Sequence, residues 1–124
     1  GGIRKTFALA LADVDQDGDL DLLVSFYNQA MELHFNDGSG VFSKSPGFPT
    51  YFWSKPRALA FGDVDNDGDL DLVIGQDYSN QLLLGDGTGN FVESEGAYGY
   101  FPLSDYMPHT HAVALGDLNG DGNL

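Results

Sequence analysis

One acidic nonapeptide occurs three times in this chain, as DVDQDGDLD at Asp13–Asp21, DVDNDGDLD at Asp63–Asp71 and DLNGDGNL at Asp117–Leu124. Oxygen donors at alternate positions around a central Gly suit a hard divalent cation, Ca²⁺ above all. Asp13, Asp15 and Asp17 each offer a carboxylate, and Asp19 at position seven offers its backbone carbonyl. Gly18 stands where the chain must turn sharply, often through positive φ, which is cheapest without a Cβ. Asp63, Asp65, Asp67 and Asp69 repeat the pattern. Asp and Gly also favour ordinary solvated turns. Two features weigh against that reading. The three copies share one phase, and five carboxylates within nine residues disfavour each other's ionised form unless a cation intervenes.

The opening of the loop is that of an EF-hand, which needs a bidentate Glu at position twelve between flanking helices. Position twelve is Val24 in the first copy and Ile74 in the second, both inside apolar runs. Neither binds a metal. The ring must instead be completed at position nine, by Asp21 and Asp71. This makes a shorter loop held between two strands. In the third copy Asp117, Asn119, Asp121 and the carbonyl of Asn123 are the donors, and position nine would be residue 125. Neutral Asn119 lowers the charge there, so this site is expected to hold its cation weakly or to be completed by another segment.

The elements that carry these loops repeat as well. The period is 50 residues from Asp13 to Asp63 and 54 from Asp63 to Asp117, a spacing that implies stacked or radial units. Alternating small and large apolar residues precede each loop, at Phe7–Ala12, Ala58–Phe61 and Ala112–Leu115. That period-two pattern predicts a strand. A second strand follows at Leu20–Val24 and Leu70–Ile74, and a third at Met31–Phe35 and Gln81–Leu84. Turns at NDGSG and GDGTG lead to a fourth at Val41–Ser43 and Phe91–Glu93. No segment keeps a 3.6-residue period. The chain reads as all-β, with four antiparallel strands per unit, the pattern of β-propeller blades. The units fall at about 6–46 and 56–96, and the opening strand of a third at about 110–124.

Composition narrows the function classes. Of 19 acidic residues, twelve lie in the three loops, leaving seven against five basic residues elsewhere. The net charge of −14 is therefore local. It offers no footprint for nucleic acid or an anionic membrane. Without cysteine there is neither a disulfide framework nor a thiolate metal site. No apolar run approaches the ~18 residues of a membrane span.

The connections between units are aromatic. The first holds Phe48, Tyr51, Phe52 and Trp53 up to Pro56; the second holds Tyr98, Tyr100, Phe101, Pro102, Tyr106, Met107 and Pro108. They read either as packing between blades or as a ligand-binding rim. His109 and His111 fall on one side of an extended segment and read as an interface pair or a transition-metal pair. With Glu95, Asp105 and Tyr106 they are the residues available for catalysis, but no nucleophile–base signature or phosphate loop accompanies them.

These features resemble the FG-GAP/VCBS repeat family, the calcium-binding blades of integrin-α-like propellers. The resemblance rests on ALALADVDQDGDLDLLVS at Ala8–Ser25, ALAFGDVDNDGDLDLVIG at Ala58–Gly75 and AVALGDLNGDGNL at Ala112–Leu124. It implies Ca²⁺ ligands at positions one, three, five and nine with the carbonyl of seven: Asp13, Asp15, Asp17, Asp19 and Asp21, then Asp63, Asp65, Asp67, Asp69 and Asp71. It implies two complete calcium sites and an incomplete third. An extracellular, cell-surface or periplasmic module for adhesion or for binding a protein or glycan is the expected role. The resemblance also implies that the chain is a segment of a larger propeller, whose remaining blades, in the same chain or another, are its expected partners. A part of a secreted polysaccharide lyase or hydrolase, or a pure scaffold, is the alternative.

Overall fold

The computed structural model describes residues 2–49, 55–77, 80–94 and 109–124, and residues 100–101 by their backbone. Tyr51, Phe52, Trp53, Tyr98, Pro102, Tyr106, Met107 and Pro108 of the aromatic connections lie outside the described residues, as do Glu95 and Asp105.

Two antiparallel sheets follow one another along the chain. The first is β1 (Thr6–Ala12), β2 (Asp21–Phe26), β3 (Gln29–Asn36) and β4 (Phe42–Lys44), lying side by side in that order. The second is β5 (Pro56–Gly62), β6 (Asp71–Gln76), β7 (Asn80–Gly85) and β8 (Phe91–Glu93), again in chain order. Among the described residues there is no helix. The four-strand unit read from the sequence is the unit of the fold.

Register is what places the acidic loops. Ala12 pairs with Asp21 and Leu9 with Val24; fifty residues later Gly62 pairs with Asp71 and Leu59 with Ile74. Each loop thus leaves the ladder after its position-zero residue and re-enters at position nine. A slip of one residue would turn every buried side chain of the strand outward.

The sheets pack face to face around one core. Leu23, Met31 and Leu33 of the first sheet meet Leu72, Ile74 and Leu83 of the second. All six are almost fully buried. Each contributes about 1.5–3 kcal/mol of transfer free energy. The inner strands β1 and β5 lie against each other. Ser25, fully buried, accepts the Ala8 N–H at 2.9 Å and donates to the Pro56 carbonyl at 3.0 Å, tying the two units together. Phe48 of the first connection is buried and packs its ring on Phe91 at 5.8 Å. For Phe48, then, packing between units is what the structure shows.

Besides leaving Leu20 and Leu70 just outside β2 and β6, the structure departs from the sequence reading at three places. Strand β4 begins at Phe42, one residue late, because Asp37 takes the Val41 N–H into the turn. A short β9 (Tyr100–Phe101) pairs with Asn80 and Gln81 on β7, beyond the end of β8. Two residues are too few to leave a periodic signal. Residues 112–115, predicted as an opening strand, form none. A strand is made by its ladder, and near this segment the described residues show the isolated bridge Asp77–His109 and the bond from Thr110 N–H to the Gln76 carbonyl in place of one. The segment still lies on the second sheet, where Leu115 and Leu124 crowd the position a Cβ would take on Gly62.

Equivalent faces of the two sheets differ in cover. Leu59, Phe61 and Leu70 pack against the shared core, and Phe91 is buried within it. Their counterparts Leu9, Leu11, Leu20 and Phe42 are 63%, 58%, 55% and 43% exposed.

Candidate metal centre

Three carboxylates converge in each of the first two loops. One oxygen each from Asp13, Asp15 and Asp21 lie within 4.8 Å of one another, and Asp63, Asp65 and Asp71 form the same group. The loop is wound around its first residue. Asp13 accepts the Asp17 N–H at 3.1 Å and the Gly18 N–H at 3.0 Å; Asp63 accepts those of Asp67 at 3.2 Å and Gly68 at 3.0 Å. That winding needs positive φ at two positions, Gln16 and Gly18 in the first loop and Asn66 and Gly68 in the second. Gly18 and Gly68, both at φ 95°, are where glycine's freedom is required.

Position nine anchors the loop to the sheet. Asp21 is buried, and its oxygens accept the N–H groups of Val14 at 3.0 Å and Asn36 at 2.9 Å. Asp71, also buried, accepts those of Val64 at 2.7 Å and Gly85 at 3.0 Å. Each of these carboxylates therefore binds the start of its loop to the end of the third strand. Among the described residues, neither makes an ion pair with a basic side chain.

The other two predicted positions lie differently. Asp17 and Asp67 each accept the N–H two residues on, at 2.9 Å, and stand outside the three-carboxylate groups. Asp19 and Asp69 enter the predicted cage by their carbonyls. Their carboxylates lie against the hairpin turns, where a Cβ added to Gly38 or Gly87 would collide with them.

Crowding is visible in the electrostatics. Burial, then the charges of Asp21, Asp17 and Asp13, raise the Asp15 carboxyl above its usual range. Burial, then Asp67 and Asp71, do the same at Asp65. A cation is the ordinary remedy for like charges held this close. The third loop is the opposite case. Asp117 accepts the N–H groups of Gly120 and Gly122 at 2.6 and 2.7 Å, and Asn119 donates to Asp121 at 2.9 Å. The backbone N–H groups, Gly122 first, lower Asp117, and the N–H of Asn123 followed by the Asn119 amide lowers Asp121. The carboxylates there are satisfied by their own loop.

All donors in the two groups are oxygens, and neither His nor Cys takes part. Three convergent carboxylates, further oxygens in the same loop and a flexible ring fit Ca²⁺ better than Mg²⁺, which demands a near-ideal octahedron and keeps its waters.

Two clusters escaped the sequence reading. Gln16 reaches from the first loop to the second, donating to Asp69 Oδ1 at 2.7 Å. At the other end of β5, buried Asp77 holds Arg57 through both carboxylate oxygens and His109 Nδ1 at 2.8 Å. Arg57, then His109, hold its carboxyl below the usual range. The rings of His109 and His111 stand 6.3 Å apart. No periodicity marks a lone Asp or Gln whose partners lie far along the chain.

The family model for the FG-GAP-like repeat matches residues 13–74 and again 63–124. No curated protein and no solved structure matches the chain.

Proposed function

The chain belongs to the FG-GAP-like repeat family, and from that premise we propose that it is a calcium-stabilised, extracellular β-propeller segment that displays its loops to a protein or glycan ligand. Repeats of this family often bind calcium and are typical of extracellular or cell-surface proteins. The observation that carries the proposal is the repeated carboxylate group, Asp13/Asp15/Asp21 and Asp63/Asp65/Asp71, each fastened by its buried member to the start of its own loop and to the end of the third strand of its sheet.

Asp13, Asp15 and Asp21 would hold one Ca²⁺ with Asp17 and the Asp19 carbonyl, and Asp63, Asp65 and Asp71 another with Asp67 and the Asp69 carbonyl. Bound calcium supplies positive charge that cancels the repulsion among these groups. The residues do the rest. Asp21 and Asp71 pass the order of the loop into the ladder, because the same carboxylates close both. One face of the molecule, where the loops emerge, is thereby made rigid. Millimolar calcium outside the cell, or in a periplasm open to it, would keep even weak sites filled.

Further blades are the proposed structural partners. The support is the uncovered Leu9, Leu11 and Leu20 edge, whose counterparts on the second unit are covered by the first. The role proposed is binding; of the groups weighed for chemistry, His109 is hydrogen-bonded to Asp77. The test is calcium-dependent capture. The chain, presented on a surface, should bind selected glycans or extracellular proteins from an array in calcium and release them in chelator. Binding that is indifferent to chelator, or turnover of a polysaccharide by the chain, would contradict the reading.

A further inference from the structure

Position four of the acidic loop is Gln16 in the first copy, Asn66 in the second and Gly120 in the third. It stands between two predicted ligands and takes positive φ in all three copies, 61°, 63° and 75°. Among the described residues, only the first copy has a side chain that reaches the neighbouring loop. Gln16 Nε2 donates to Asp69 Oδ1 at 2.7 Å and approaches the Gly68 carbonyl at 3.4 Å. Gly87, in the turn between β7 and β8, closes against both partners: a Cβ there would stand 3.0 Å from Gln16 Nε2 and collide with Asp69. Among the described residues, the Asn66 side chain makes no such bond to the third loop.

We infer that Gln16 is a positioning residue that couples the first two loops, so that calcium in one raises the affinity of the other. The inference rests on the calcium reading above. Asp15 and Asp17 flank Gln16, so a cation held by that loop fixes the backbone on both sides of the glutamine. Its amide then holds Asp69, whose carbonyl is the position-seven donor of the second loop. A segment already ordered loses less conformational freedom when its own cation arrives, and that saving is positive cooperativity. Linkage makes the effect reciprocal. Gln is neutral, so the coupling adds no charge to either site. It also keeps the Asp69 carboxylate occupied away from the Asp63, Asp65 and Asp71 group. Asn66 and Gly120, shorter or lacking a side chain, leave the second and third loops uncoupled.

Calorimetric Ca²⁺ titration of the full chain tests this. Asp15→Ala disables the first loop and leaves the second to report alone. Its affinity should fall about three- to tenfold below the value in the unaltered chain, the factor of one partly solvated hydrogen bond to a charged group. Gln16→Ala should weaken the second loop by the same factor while both loops still fill. Combining it with Asp15→Ala should add nothing. Circular dichroism in calcium establishes that each variant is folded, and Gln16→Ala decides the matter if Asp15→Ala is not. Equal second-loop affinities in the unaltered chain and in Gln16→Ala would overturn the coupling while leaving the calcium reading intact. No calcium uptake by the unaltered chain would overturn both.

Discussion

Asp21 Oδ2 accepts the Val14 N–H at 3.0 Å, so the last carboxylate of the first acidic loop is tied to that loop's second residue. The other oxygen accepts the Asn36 N–H at 2.9 Å, at the end of β3. The side chain is buried, and alanine would leave two N–H groups without their acceptor. Asp21→Ala is expected to destabilise the fold by about 2–4 kcal/mol even in chelator, since each unmet buried donor costs about 1–3 kcal/mol. Urea unfolding measures this. A change under ~0.5 kcal/mol would mean that the carboxylate serves the cation alone.

The second loop separates a ligand carboxylate from a supporting one. Asp65 belongs to the convergent group, whereas the Asp69 carboxylate is directed to Gln16 and the Gly87 turn. Asp65→Ala should weaken calcium binding at that loop by roughly a hundredfold or more, beyond the usual loss from an outer-shell group. Asp69→Ala keeps the carbonyl and should lose only several-fold. A titration in which the two losses are equal would refute the division of roles.

Much of this was legible in the residues. The period of 50 and the alternation at Phe7–Ala12 marked the unit, because strand periodicity and loop spacing are local properties. The carboxylates at positions one, three and nine converge, while the side chain at position five lies outside the group. What could not be read depends on contacts between segments far apart in the chain. Gln16, Asp77 and the pairing of Tyr100 and Phe101 with β7 have partners in distant segments, and no spacing rule points to them. Residues 112–115 carry the strand alternation of their counterparts without a ladder, since propensity cannot supply a partner.

Acid should weaken the first sheet in a defined window. Glu32 is held down from an ordinary 4.5 to about 2 by hydrogen bonds from Lys44 and Arg4. A pKa lowered on folding gives stability that is complete above about pH 4.5 and is lost as the pH falls toward 2. Arg4 and Lys44 are 52% and 59% exposed, so solvent screening limits the contribution to about 1 kcal/mol. The stability difference between the unaltered chain and Glu32→Gln should be present at pH 6 and gone near pH 2. A difference constant across that range would show that these pairs contribute nothing.

Calcium held by the two acidic loops should set the stability of the fold. Differential scanning calorimetry of the chain in excess chelator, and then with calcium restored, tests it most directly. A site filled at a hundred times its Kd stabilises the fold by about 2.7 kcal/mol, or roughly 10 °C in a chain of this size. The melting temperature should rise by at least about that much with calcium, rise further as calcium is added, and return when chelator is restored. An identical melting temperature in chelator and in millimolar calcium would contradict it.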